Sequence, residues 1–374
     1  MSDNKEPKPK IKKILFMTAA GSHNLWDELI LKEEINFVQK QYGKNISITA
    51  CWYDLSDMLI LDPTVTLVSY FPNHFIKHPL QNIKYLFKNI WLIAKADVLI
   101  IGWWGILFDN EEWVSFWMVL AQWSFRVKLA RMTNTVILFW GIWLEITKAK
   151  NKMKLKKFFI PWDFILVRDS QSKWLLDALE IPSVQVQDIV FLHEPPLPSK
   201  PITEHIRPIG ISIRGGFLQD ENESVIPRMY DYLVKQWFKP IFLVLSTEWE
   251  EAQNDTLFIQ RMMVWKTFNM TRDIRQTLDV YPFLHSIIGM RLHSGILACV
   301  HNIPFLPISY GMKTDELIKL LWLEHLGIQS TELTLELFIS KWEALVKNYE
   351  LEKLAITQKH EYYSQNLQDC LKNL

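Results

Sequence analysis

The sequence is short of the features that usually announce a function. It has three cysteines in 374 residues, Cys51, Cys299 and Cys370, far apart and in no CxxC or Cys/His spacing. That fits a reducing compartment and gives no structural-zinc pattern. There is no surplus of charge, since 41 Lys plus Arg balance 41 Asp plus Glu. A nucleic-acid binder usually carries a positive excess, so the total lends no support to a DNA or RNA partner. There is no long apolar run. The longest, Val98 to Phe108, is bounded by Asp97 and Asp109, and it falls short of the roughly 20 residues that span a bilayer. The polar, Lys-rich start from Met1 to Lys13 leads into a short strand without the apolar core of a secretory signal. These absences predict a cytoplasmic protein. No GxGxxG, Walker A, GxSxG or HExxH pattern appears either. The usual nucleotide, hydrolase and zinc-protease readings lose their main support with them.

What is present is apolar material, 49% of the residues against 22% charged, ample for two cores at roughly 150 residues per domain. After a tail over residues 1–13, short β-rich runs alternate with helical patterns. Strands are expected at Ile14 to Met17, Ile46 to Trp52, Val65 to Tyr70, Asp97 to Gly102, Thr135 to Trp140, Phe164 to Val167 and Ser183 to Val186. Helices are expected at Asp27 to Tyr42, Pro79 to Ala96, Glu111 to Arg131 and Ser170 to Leu179. Wholly apolar strands separated by helices predict a parallel sheet covered on both faces. From His193 to Pro208 the texture changes, with Pro195, Pro196, Pro198, Pro201 and Pro208 in one stretch. Proline fixes φ and removes amide donors, so this stretch reads as a linker. A second α/β series follows, with strands at Ile209 to Ile213, Ile241 to Leu245, Ser286 to Gly289 and Phe305 to Ile308. Its helices are expected at Val225 to Trp237, Glu251 to Met262, Thr271 to Val280, Ser294 to Val300 and Thr314 to Leu326. The division is therefore residues 14–192, a linker at 193–208, residues 209–330, and C-terminal helices over 331–374 that pack back. The fold class is α/β: two Rossmann-like parallel-sheet domains facing a cleft, with ligands at the carboxyl ends of the strands.

Tryptophan is abundant at 17 residues, concentrated between Trp91 and Trp174. The stretch from Tyr85 to Leu129 mixes Trp, Phe and Lys as interfacial segments do, which leaves a peripheral membrane contact open beside plain core packing.

The strongest chemical signal is Ile287-Ile288-Gly289-Met290-Arg291-Leu292-His293-Ser294-Gly295. A buried strand ends, and a charged and a titratable residue stand before a helix. A helix N-terminus favours anions, the arginine fork matches carboxylate or phosphate, and the imidazole can move a proton near neutral pH. The competing reading pairs Arg291 with an acid and uses His293 as a cap. Lys313, after the strand ending near Ser309-Tyr310, could neutralise phosphate or be a solvated helix-start lysine. Arg214, before Gly215 and Gly216, ends another strand, where it faces a ligand or lies in a surface turn. In the first domain, Asn24 precedes Asp27 and Glu28, which could act as base or bind sugar hydroxyls, or complement the helix dipole. Gly102-Trp103-Trp104-Gly105 is a stacking platform or packing. Arg168-Asp169 is a ligand-facing pair or an N-cap.

At these residues the chain resembles the polysaccharide pyruvyl transferases. Arg291-Leu292-His293, Ala298, Pro304, Ser309-Tyr310 and Lys313 look like that family's R-x-H…A…P…Y-x-x-K segment. Val167-Arg168-Asp169 with Ser172, and Asp188 before Phe191-Leu192, look like its middle segment. Asn24-Leu25-Trp26-Asp27-Glu28 looks like its G-N-x-G-D-E turn. Trp26 and His23 stand where the family has glycines, and Trp103-Trp104 fall in its triple-glycine turn. These departures point to a changed acceptor pocket or to lost activity. The resemblance implies a fold like the two-domain, GT-B-like glycosyltransferases. It implies phosphoenolpyruvate as donor, a sugar of a cell-surface polysaccharide or its lipid-linked precursor as acceptor, and a pyruvate ketal as product. No metal or organic cofactor is implied. Arg291, Arg214 and Lys313 would hold the donor, His293 with Asp27 and Glu28 would move protons, and Asn24, Arg168 and Tyr310 would line the acceptor side or cleft. The alternatives are a nucleotide-sugar-dependent glycosyltransferase on a similar fold, or a catalytically altered relative that binds glycan.

Overall fold

The computed structural model describes residues 11–18, 20–21, 23–52, 64–69, 79–102, 105–109, 115–195, 207–218, 220–247 and 254–372. The chain divides into two compact units, one of Met1–Ser22 with Asp27–Asp188, the other of His23–Trp26 with Ile189–Leu374.

In the first unit the order is β1 (Lys13–Met17), α1 (Leu25–Tyr42), β2 (Ser47–Trp52), β3 (Thr66–Ser69), α2 (Pro79–Lys95), β4 (Val98–Gly102), β5 (Gly105–Phe108) and α3 (Phe116–Met132). Then come β6 (Val136–Glu145), α4 (Ala149–Phe158), β7 (Phe164–Val167), α5 (Ser170–Ala178) and β8 (Val184–Gln185). The sheet runs β3-β2-β1-β4-β6-β7-β8, with β5 beside β6. Every pairing is parallel. Its central strands are apolar throughout because both faces are covered. Strand progression reverses at β3. Since parallel crossovers are right-handed, α1 lies on one face and α2 to α5 on the other. The core agrees: Ile93, Leu120, Trp123, Leu155 and Leu175, one or two from each of those four helices, belong to a single cluster. On the opposite face Phe37 of α1 meets Trp140 edge-on, with ring centroids 5.5 Å apart.

Two elements depart from the pattern expected of this half. The strand expected to stop at Trp140 continues to Glu145, because Gly141 at φ 61° bends the chain and lets it resume pairing beyond the irregularity between Phe139 and Ile142. Helix α4 was not expected, since its run of lysines shows little apolar period. A buried carboxylate starts it. Asp109 accepts from Thr147 N (2.7 Å), Lys148 N (3.0 Å) and Asn151 Nδ2 (2.9 Å). The Trp103-Trp104 pair and the expected start of α3 at Glu111 lie outside the described residues, as do residues 1–10 of the tail and 196–206 of the linker.

The second unit opens with a 3-10 turn at Ile189–Leu192. It continues with β9 (Arg207–Ser212), α6 (Asp220–Glu223), α7 (Val225–Lys235), β10 (Phe238–Phe242), α8 (Asp255–Met262), α9 (Ile274–Val280) and β11 (Ser286–Gly289). Then follow α10 (Leu292–Val300), β12 (Phe305–Ser309), α11 (Met312–Leu320), β13 (Ile328–Gln329), α12 (Leu335–Lys347) and α13 (Tyr349–Leu371). The five strands run β10-β9-β11-β12-β13, all parallel. Helix α9 begins three residues later than its pattern suggested. Asp273 caps it through Gln276 N at 2.8 Å, and Thr271 instead bonds Val244 N and Thr277 in the core. The C-terminal α13 lies over the opening 3-10 turn, with Tyr363 against Phe191 at 5.4 Å and its hydroxyl donating to Leu320 O.

Candidate functional site

Strands β9, β11 and β12 are consecutive neighbours in one parallel sheet. Their carboxyl ends therefore deliver Arg214, the Arg291–His293 turn and Tyr310–Lys313 to one edge of the second unit. Parallel α/β sheets bind ligands at this edge.

The Arg291–His293 turn is tight for a reason visible in its glycines. A Cβ on Gly289 would come within 2.2 Å of Ser294 Oγ and 2.7 Å of the Phe305 ring, and one on Gly295 within 2.6 Å of the same ring. The Phe305 side chain is thus pinched by both glycines, and the chain must turn at once into α10. Ser294 closes the turn by donating its amide and its hydroxyl to Arg291 O, at 3.0 and 2.6 Å. His293 is left as the second residue of α10, beside the positive end of the helix,.

Arg291 is not an open cation. Its Nε donates to Asp255 Oδ1 at 3.0 Å, and one Nη donates to the same oxygen. The Arg291 side chain is 8% exposed and that of Asp255 1%, so this is a buried ion pair. Asp255 also accepts from Leu245 N and Ser246 N at 2.9 and 3.0 Å. Burial pushes the Asp255 carboxyl up, and Arg291 with the two amides opposes it. All of these partners donate, and only the ionised carboxylate accepts from them all. Arg291 is the residue expected to hold a donor anion, and its pairing with Asp255 is the alternative that the sequence left open. Asp255 itself escaped the sequence reading. It resembles any acid in a first helical turn, but Asn254 takes the capping role by accepting from Leu257 N, which frees Asp255 to point inward.

Arg214 has a different setting. Its Nη1 donates to Tyr310 Oη at 3.0 Å. Its guanidinium lies 4.7 Å from the Phe217 ring centroid and 5.4 Å from that of Tyr310. Its Nε is buried without a hydrogen-bond partner, as is Ser212 Oγ on the adjoining strand end. No acid is paired with it among the described residues. Arg214 and Tyr310, expected separately, are one cluster here, with Phe217 as the member the sequence did not reveal. Lys313 is exposed in the first turn of α11.

His293 is covered on one face. The Trp26 ring stacks on it with centroids 3.9 Å apart and planes 9° apart. Trp26 is 2% exposed, so the indole closes that face of the imidazole. The segment carrying Trp26 is stitched to the end of β10. Asn24 pairs with Ser246, Leu25 N donates to Leu245 O, and Thr247 N donates to His23 O. Asn24 Oδ1 accepts from Trp26 N at 3.1 Å, so its side chain shapes the turn into α1. Asn24 thus belongs with the second unit, not the first domain to which its position in sequence had assigned it.

The remaining expected residues belong to the first unit. Asp27 is half-buried and Glu28 fully buried in the first turn of α1. Arg168 is half-buried after β7. Its neighbour Asp169 is the N-cap of α5, accepting from Ser172 N and Oγ, both at 2.7 Å, while Ser172 Oγ accepts from Leu144 N. The Val167-Arg168-Asp169…Ser172 pattern is thereby a cap that pins α5 to β6. No group of three or more His, Cys, Asp or Glu among the described residues could hold a metal. No helix among them is long and apolar enough to cross a membrane.

A family model described as polysaccharide pyruvyl transferase matches residues 27–312. Comparison with curated proteins gives no match. Among solved structures, the chain is similar to Anabaena Alr3699/HepE in complex with UDP-glucose, with a TM-score of 0.56 and 12% identity, covering 97% of this chain and 100% of that one. It is also similar to the UDP-GlcNAc 2-epimerase of Neisseria meningitidis bound to UDP-GlcNAc, with a TM-score of 0.59 and 12% identity, covering 96% and 98%. At that identity the likeness shows the fold, which is of the GT-B type.

Proposed function

The chain belongs to the polysaccharide pyruvyl transferase family, and we propose that it moves the pyruvyl unit of phosphoenolpyruvate onto two hydroxyls of a sugar. That sugar is part of a cell-surface polysaccharide or its lipid-linked precursor. The two hydroxyl oxygens bond to C2 of the enolpyruvyl group, C3 gains a proton to become a methyl, and inorganic phosphate leaves. The product is a cyclic ketal, and the hydroxyl protons end on C3 and on the phosphate.

The observation that carries this reading is the Arg214–Tyr310 pair beside His293 on one sheet edge. Phosphoenolpyruvate is a small anion with a phosphate and a carboxylate. An arginine whose Nε lacks a partner, with no acid paired to it among the described residues, can take one of those groups in its fork. Lys313 and the amides opening α10 add positive potential for the other. Arg291 serves chiefly to hold the turn through Asp255, and His293 carries one of the proton transfers. Asp27 and Glu28 are the carboxylates proposed to bind or deprotonate the acceptor hydroxyls, with Arg168 on the acceptor side.

The test is incubation with phosphoenolpyruvate and a panel of lipid-linked and nucleotide-linked sugars, followed by mass spectrometry for an added ketal and by phosphate assay. Arg214→Ala is expected to raise the KM for phosphoenolpyruvate by about a hundredfold, the worth of a lost charge-assisted pair. An unchanged KM overturns the donor site. A nucleotide-sugar-dependent glycosyltransferase is the second reading, favoured by the UDP-glucose bound in HepE. Thermal stabilisation by a UDP-sugar and none by phosphoenolpyruvate would select it.

A further inference from the structure

One face of the first unit stands apart in charge and exposure. Helices α2, α3 and α4 carry eleven basic residues and no acidic one, in a chain whose total charge is zero. They share a side of the sheet and contribute to the same core cluster. They also touch each other, with Lys154 of α4 lying 3.9 Å from the ring centroid of Trp117 on α3. Two of the cations point inward. Arg126 is buried and Arg131 bonds Asp163. The other nine are lysines, of which Lys156 reaches Glu180. The nearby Asp109 and Asp163 are both buried beneath the helices.

Among these lysines stand large apolar side chains that face solvent in rows. On α2, Ile83, Phe87 and Trp91 follow at intervals of four residues and are 44%, 66% and 59% exposed. On α3, Met118, Phe125 and Met132 follow at intervals of seven and are 63%, 47% and 82% exposed. Both intervals keep a row on one side of a helix. Singly exposed apolar residues are ordinary, but a row of them along each of two helices on the same side of the sheet is not, and exposed apolar patches mark contact surfaces. Charge decides what covers this one. A second copy seated symmetrically would set lysine against lysine. An anionic bilayer supplies both what the lysines pair with and a hydrocarbon boundary for the Phe, Trp, Ile and Met side chains.

We infer that the α2–α3–α4 face of the first unit docks on an anionic lipid bilayer. The lysines meet the headgroups and the α2 and α3 rows enter the boundary between headgroups and acyl chains. This inference stands apart from pyruvyl transfer, because it rests on helices that carry none of the proposed site residues.

Cosedimentation of the full chain with vesicles tests it. Binding is expected on phosphatidylcholine vesicles that contain phosphatidylglycerol and not on phosphatidylcholine alone, and it should weaken as salt rises. Lys150→Glu with Lys157→Glu, both exposed, should weaken it on the order of a hundredfold or more, at about 1 kcal/mol per charge. Phe87→Ser with Trp91→Ser should weaken it about tenfold without affecting the salt response. These positions are solvent-facing, and the wild-type lipid and salt series decides the matter even if a variant misfolds. Equal affinity for neutral and anionic vesicles, or no binding at low salt, overturns the inference. Binding to polyuridylate as tight as to vesicles, and indifferent to Phe87 and Trp91, overturns it in favour of a polyanion surface. Transferase activity on a water-soluble acceptor that survives in the lysine variant separates this surface from the chemistry.

Discussion

The Arg291–Asp255 pair allows the sharpest test of how the second unit is built. Two donor groups of Arg291 converge on one oxygen of Asp255, and both side chains are nearly excluded from water. Deleting one partner leaves the other charged and buried, which typically costs about 3–5 kcal/mol. In a unit of roughly 190 residues, each kcal/mol moves the midpoint by about 2–4 °C, so Arg291→Ala should melt about 10 °C below the parent. Asp255→Ala should cost as much or more, because Leu245 N and Ser246 N lose an acceptor as well. The double variant removes both charges together. Its loss should fall short of the sum of the singles by about 3 kcal/mol, the signature of a coupled pair. The assay is chemical denaturation of the four proteins, followed by the hydrogen exchange of α10 so that the second unit is read on its own. If Arg291→Ala melts within a degree of the parent while phosphoenolpyruvate turnover disappears, the pair is not structural. Arg291 would then be the donor anchor after all.

Trp26→Gly, which uncovers one face of His293, is expected to lower kcat about tenfold with little change in KM for phosphoenolpyruvate, through lost orientation of the imidazole; an unchanged kcat refutes a positioning role. Asp109→Ala should raise hydrogen exchange in α4 by two to three orders of magnitude, since about 2–4 kcal/mol of buried bonds is lost; unchanged exchange would show that the carboxylate is dispensable. The same residue should make α4 weaker in acid. Burial alone would raise the Asp109 carboxyl, but its donors outweigh that and hold it below its ordinary value, so its contribution is present above the unfolded value and is lost as pH falls through the folded one. The histidines of the second unit act at milder pH. Burial lowers His301 to about 3 and His285 to about 4, whereas each titrates near 6.5 when unfolded. The unfolded chain therefore binds more protons below about 6.5, so stability is full above that pH and declines beneath it. A thermal midpoint equal at pH 7.5 and 5.0 would contradict this.

The parallel architecture was legible because it rests on uninterrupted apolar strands such as Val98–Gly102 and Ser286–Gly289, buried at every position. The strand-end arginines were legible from position alone. What escaped depended on side-chain direction. Asp255 and Asp27 look alike as acids in first helical turns, yet the first turns inward to a guanidinium. Asp169 reads equally as a ligand residue and as a cap until Ser172 is seen to accept from Leu144 N. Helix α4 hid because its hold on the sheet comes from Leu155, Phe158 and a carboxylate forty residues upstream, not from its own pattern.

The two departures from the family's glycines at residues 23 and 26 differ in physical kind. Residue 23 sits at φ 61°, a left-handed conformation that glycine adopts freely and that costs other L-residues about 1–2 kcal/mol. His23 therefore occupies a backbone geometry that suits glycine. Residue 26 differs in kind, because a glycine there would leave the space now filled by an indole stacked on His293. Sequence position had assigned both changes to the acceptor domain. The structure groups residues 23–26 with the second unit, where the indole bears on the imidazole proposed to move the proton. The substitution at residue 26 thus closes one face of the His293 ring. The indole therefore bears on how the imidazole is held, since the two rings lie 3.9 Å apart and within 9° of parallel.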